Sequence, residues 1–153
     1  MIRVKRLESA DKPGAARWDA FVAACPQATF FHRAGWQNVI AEVFRHRTHY
    51  LFAEDDGAIA GVLPLAHVNS VLFGNALVSL PFAVYGGVAA SSEAAASALE
   101  DEAQAIACRL GVDHLELRNV KQRHADWPAQ DLYVTFRKEI LPENMAAKAV
   151  HAE

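Results

Sequence analysis

Sixteen consecutive residues, Ala58 to Phe73, carry no charged side chain, with Asp55-Asp56-Gly57 before them and Gly74-Asn75 after them. An apolar stretch of this length between turn residues predicts a long buried strand entered by a hairpin reversal. A second turn then leads into a further strand over Ala76 to Leu80, where Pro81 bends the chain.

Upstream, the hydrophobic period changes from two to nearly four. Ile2 and Val4 alternate with Arg3 and Lys5, which predicts a half-buried strand over Met1 to Leu7, broken by Asp11-Lys12-Pro13-Gly14. From Ala15, the residues Trp18, Phe21, Val22 and Cys25 recur at helical spacing and stop at Pro26. Trp36, Val39, Ile40, Val43 and Phe44 mark a second amphipathic helix, and His49 to Ala53 is strand-like. Downstream, Ser91 or Ser92 caps an Ala-rich helix, Glu93 suits its positive end, and Gly111 stops it. Val112 to Val120 and Leu132 to Ile140 supply the last strands, giving the order β, α, α, β, β, β, α, β, β.

Composition narrows the function classes. With 153 residues, 52% hydrophobic and 22% charged, one core is expected and a disordered chain is excluded. A net charge of -3 lacks the positive field of a dedicated nucleic-acid binder. Cys25 and Cys108 form no Cys-x-x-Cys pair and are expected as two buried, reduced thiols. His46 and His49 have metal-like spacing only within a helix, with no carboxylate or thiol to complete a set, so no metal site is expected. The first residues do not form a secretory signal, and the apolar runs contain Pro64 and Pro81 and fall short of the ~18 residues of a membrane helix, so a cytoplasmic protein is expected.

Four segments, Trp18-Asp19-Ala20-Phe21-Val22, Phe30-Phe31-His32-Arg33-Ala34-Gly35-Trp36, Gly61-Val62-Leu63-Pro64-Leu65 and Ser79-Leu80-Pro81-Phe82-Ala83-Val84-Tyr85-Gly86-Gly87, resemble the FemAB-like (Fem/FemX) transferases. These belong to the GNAT acyltransferase superfamily. The resemblance implies an α/β (α+β) GNAT-like acyl-CoA N-acyltransferase fold, a mixed, mostly antiparallel sheet flanked by helices. It places one GNAT-like domain over residues 1–141, with 142–153 as a tail, either a frayed helix or the start of a second domain. Better known members carry two such domains in tandem and add amino acids from charged tRNA to peptidoglycan precursors; a subgroup accompanies exopolysaccharide systems.

The same resemblance implies an acyl-CoA or aminoacyl-tRNA donor, and an amine of a cell-envelope or polysaccharide-related precursor as acceptor. A working GNAT enzyme holds the donor's pyrophosphate on backbone amides where the fourth strand enters the central helix, in a Gly-rich loop with a basic residue. Val88 to Glu93 departs from that pattern, and no Lys or Arg occurs between Arg47 and Arg109. Neutralisation of a phosphate there must come from elsewhere in the chain.

Tyr85 is the candidate catalytic residue, a proton donor to a leaving group, with Gly86 and Gly87 allowing positive φ or close approach of another backbone. His32, Trp36, Ser79, Gly86 and Gly87 are the candidate acceptor-binding residues, His32 and Trp36 lying four apart on one helix face. The structural alternatives are a turn with Tyr85 packed at a sheet end and a core Trp36 edged by His32. Arg118, Lys121 and Arg123 with His124, joined by Arg137 and Lys138 where the last two strands pair, form either an RNA-contacting basic patch, a solvated surface or a face toward a second domain. Three functions follow: a FemAB-like acyl or aminoacyl transferase domain, a non-catalytic substrate-binding half-domain, or a stand-alone acetyl-CoA N-acetyltransferase. The partner is a second GNAT-like domain or a second copy of the chain.

Overall fold

In the computed structural model, residues 1–70 and 74–130 are described. The unit Met1–Arg123 carries every element named below. In the second unit, from His124, the ring of His124 stacks on Trp127 at 4.4 Å. The boundary expected at 141/142, the strand expected over Leu132 to Ile140, and Arg137 and Lys138 lie outside the described residues.

The predicted meander is present. β1 (Arg3–Leu7) lies antiparallel to β2 (Arg47–Asp55), from Arg3 opposite Glu54 to Leu7 opposite Tyr50. β2 turns into β3 (Ala58–Ser70) through Asp56 and Gly57, whose φ of 45° and 85° match the two-residue turns that follow strand twist. β4 (Gly74–Ser79) returns along β3.

Side chains of β2 alternate between two cores. Tyr50 and Phe52 face α1 (Lys12–Ala24), whose Trp18 and Val22 are buried, and Leu51 and Ala53 face α3 (Glu93–Leu110) on the other side. β3 is covered on both faces in the same way, which is why its sequence reads as a continuous apolar run.

Helix boundaries depart from the sequence expectation in two places. α1 starts three residues before Ala15, because Asp11 accepts a hydrogen bond from the Gly14 amide at 2.9 Å and Pro13 sits in the first turn, where its missing N–H costs nothing. The second expected helix, from Trp36, is broken into a single α-turn, α2 (Trp36–Asn38), and a π-helical turn over Val39–Val43, with a separate 3₁₀ turn over Phe30–His32 before it. The Phe44 amide donates to the Val39 carbonyl, and Arg45 at φ 60° ends the segment. Ile40 stays buried, while Val43 is 69% exposed.

α3 follows its expected caps. Ser92 accepts from the Ala95 amide at 3.2 Å, and Gly111 closes the helix in the left-handed region at φ 61°. Cys108 on this helix is exposed and Cys25 half-buried, which corrects the expectation of two buried thiols. The chain then forms β6 (His114–Glu116), parallel to β4 and shorter than the Val112 to Val120 run suggested. With the two-residue β5 (Ala89–Ala90) on β3, the six strands make a mixed α/β sheet in the order β1-β2-β3-β4-β6, flanked by helices.

Candidate functional site

The strand that pairs with β3 leaves it and comes back. Ser79 sits opposite Leu65 and Ala89 opposite Val62, so the two residues Leu63 and Pro64 are matched by nine, 80–88. Leu80 and Phe82, at φ 46° and 70°, flank Pro81 in a region that side chains with a Cβ avoid, at about 1–3 kcal/mol each. The surroundings hold this excursion in place through Arg118. Its amide donates to Ser79 Oγ at 2.7 Å, its carbonyl accepts from the Gly87 amide at 3.0 Å and Gly86 at 3.3 Å, and its guanidinium donates to the Ala83 carbonyl at 2.7 Å. The Asn119 side chain accepts from the Val88 amide at 2.9 Å.

Close approach, rather than positive φ, is what the paired glycines provide. A Cβ on Gly87 would lie 2.1 Å from Asn119 Oδ1 and 2.8 Å from the Asn119 backbone nitrogen, and one on Gly86 would lie 2.5 Å from Leu80 Cβ.

His32 closes the same network from the other side. The Thr29 amide donates to its Nδ1 at 3.0 Å, which leaves the proton on Nε2, donated to the Gly87 carbonyl at 2.9 Å. Burial pushes the His32 pKa below its usual value, and the ring is neutral. Thr29 Oγ1 donates to the Tyr85 carbonyl at 3.2 Å. His32, Ser79, Tyr85, Gly86 and Gly87 are therefore brought together, with Ser79 buried and Tyr85 half-buried. Trp36 is not on one helix face with His32: it belongs to the next turn, packed against Phe30 at 5.9 Å and Phe31 at 5.7 Å.

Sequence reasoning missed the aromatic surface beside this network. Phe82 is 59% exposed, its ring stacked 4.0 Å from Phe44 and 5.9 Å from His46. Nothing local signalled it: Phe82 has a left-handed backbone, and Phe44 follows the π-helical turn.

At the N-terminus of α3, a cleft of about 140 Å³ is lined by Gln27, Ser91, Ser92, Glu93 and Arg123. Arg123, from beyond β6, brings a cation to this cleft, yet it is already engaged. Its Nη2 meets Glu93 Oε1 at 2.6 Å and its Nε meets Glu100 Oε1 at 2.7 Å, and these carboxylates raise the guanidinium pKa further. Of the basic group, Arg118 is bonded to Glu116 and the Ala83 carbonyl, and Arg123 to Glu93 and Glu100. Among the described residues, no three His, Cys, Asp or Glu side chains are grouped as a metal set, and no helix is long and apolar enough to cross a membrane.

No family model matches the chain, and no curated protein sequence does. Solved structures do match. A GNAT family acetyltransferase from Staphylococcus aureus superposes with a TM-score of 0.57 at 10% identity, over 90% of this chain and 98% of that one. A ribosomal-protein-alanine N-acetyltransferase from Brucella melitensis biovar Abortus gives 0.54 at 16% identity, over 88% and 100%. A transcriptional regulator from Bacillus halodurans gives 0.54 at 12%, over 88% and 100%. At these identities the likeness speaks for the fold, which hosts proteins of differing description. The chain has the fold of the GNAT acetyltransferases.

Proposed function

We propose that this chain is a FemAB-like acyl-transfer domain that moves an acyl or aminoacyl group onto an amine of a cell-envelope or polysaccharide-related acceptor. The observation that carries the reading is the strained nine-residue excursion on a GNAT frame, within the Ser79 to Gly87 segment that resembles the family. Left-handed non-glycine residues persist where the surroundings over-determine them, and they cluster where ligands are handled.

In this reading the acceptor approaches the excursion on its exposed aromatic side, with Trp36 as a further contact to it. His32, Ser79, Gly86 and Gly87 hold the excursion in shape through the hydrogen bonds that tie them together. The neutral amine attacks the donor carbonyl directly, a C–N bond forms, and the bond to the CoA sulfur or tRNA oxygen breaks. The amine's proton passes to the leaving group, with Tyr85 as the donor. An acyl-CoA or an aminoacyl-tRNA supplies the group.

The test is transfer from labelled acetyl-CoA and from aminoacyl-tRNA to an amine-bearing peptidoglycan precursor. Turnover should appear with one donor and fall at least tenfold in Tyr85→Phe, with the unfolding midpoint unchanged. Failure of both donors sinks the reading.

One observation favours a second reading, a non-catalytic half-domain that pairs with another GNAT-like domain or a second copy. Arg123 is held by Glu93, at the helix end where a donor phosphate is held in working enzymes, and by Glu100 farther along the helix. Calorimetry separates the two: saturable heat with acetyl-CoA or aminoacyl-tRNA supports transfer, and silence with both supports the half-domain.

A further inference from the structure

A larger cleft, of about 460 Å³, lies between β1, β2 and the second half of α3, built from residues the candidate site does not use. Arg6 comes from β1, Arg47 from the start of β2, and Arg109 from the last turn of α3. The 61 residues between Arg47 and Arg109 contain no Lys or Arg, so the chain's longest cation-free span begins and ends at one cleft. Against three guanidinium groups stands one carboxylate, Glu102, paired with Arg109 at 2.7 Å. Lys5, on the same rim, is engaged by Glu54. Arg6 donates to the Thr48 carbonyl at 2.6 Å and lies 3.9 Å from Glu8. Arg47 is exposed and makes no ion pair among the described residues.

His49 lines this cleft at a position where strand alternation supplies Leu51 and Ala53 to the α3 core. It is 6% exposed, and its Nε2 has no hydrogen-bond partner. An unsatisfied buried imidazole nitrogen is a costly choice for a leucine-like position unless something else uses it. Burial first, then the charges of Arg6, Arg47, His67 and Arg109, push its pKa down to about 4. His67, from β3, is itself bonded to Asn75 at 2.7 Å. The carbonyl end of α3 does not oppose an anion strongly, because Gly111 and Val112 amides close its last turn.

We propose that this cleft binds a phosphate group, with Arg47 and Arg109 as the cationic clamp and His49 as its floor. Guanidinium forks match phosphate oxygens, and the volume suits a group carried by a small organic molecule. A bound dianion reverses the field around His49, so the ring gains proton affinity when the site fills.

The experiment titrates the full chain with ribose 5-phosphate, inorganic phosphate, ribose and acetate, following His49 by NMR. Ribose 5-phosphate should bind saturably, raise the His49 pKa by at least one unit, and weaken at least tenfold in Arg47→Gln or Arg109→Gln. Arg3→Gln, an exposed cation off the cleft, should leave binding unchanged. Inorganic phosphate binding as tightly identifies the free ion as the ligand, and tighter ribose 5-phosphate an organic carrier; either supports a phosphate site. Equal binding of acetate or ribose, or binding undiminished in both Arg variants, overturns it.

Discussion

Gly86 and Gly87 are required for room. Each faces atoms that fill the volume of a side chain, and at Gly87 two of those atoms belong to the Asn119 backbone, which cannot swing away. Gly87→Ala should therefore lower unfolding free energy by about 1–3 kcal/mol, the range for overpacking. Gly35→Ala, where nothing lies within 4 Å, is the control and should change stability far less. Urea denaturation of both variants decides it, and equal losses would refute the steric account. The close approach was legible in the sequence from the paired glycines; its partner, 32 residues later, was not. Leu80 and Phe82 were illegible for another reason: neither residue type prefers positive φ, so nothing in the sequence marks the turn they make.

At the scale of elements, the caps that read correctly were local. Ser92 and Gly111 act within their own turns of α3, and the Asp56-Gly57 turn within its own hairpin. The π-helical turn escaped detection because one extra residue in the ladder barely alters apolar spacing over nine residues. Arg123 escaped because it joins α3 from a distance in sequence. Its guanidinium meets Glu100, which is only 1% exposed in the middle of the helix, and Glu93, which is open to solvent. Removing a partner from a buried ionised group costs about 3–5 kcal/mol, whereas exposed pairs are worth about 0–1 kcal/mol. Arg123→Ala should thus destabilise by roughly 3 kcal/mol and Glu93→Gln by less than about 1 kcal/mol. Chemical unfolding of the two variants checks the order. A Glu93→Gln loss as large as that of Arg123→Ala would mean that the exposed arm carries the fastening.

For the whole sheet, a central consequence is that each face buries a histidine that is neutral when folded. His32 lies on the α1 side and His49 on the α3 side, and burial lowers both pKa values, that of His49 to about 4. In the unfolded chain both titrate near 6.5, so as pH falls the unfolded state takes up protons first. Stability is therefore fully present above about pH 6.5 and declines below it, for His49 until about pH 4. Each group contributes a slope of up to about 1.4 kcal/mol per pH unit within its window. Unfolding free energies measured in phosphate-free buffer should fall steadily from pH 7 to pH 5, and His49→Gln should flatten that fall by about one group's share. A profile level down to pH 5 would show that the imidazoles are not held neutral. Adding ribose 5-phosphate should flatten the wild-type profile as well, because a dianion in the cleft raises the folded-state proton affinity of His49 toward its unfolded value. In His49→Gln the compound can change the profile only through the phosphate's own titration at about pH 6, so the difference between the two proteins ties the acid sensitivity of the fold to the occupancy of one cleft.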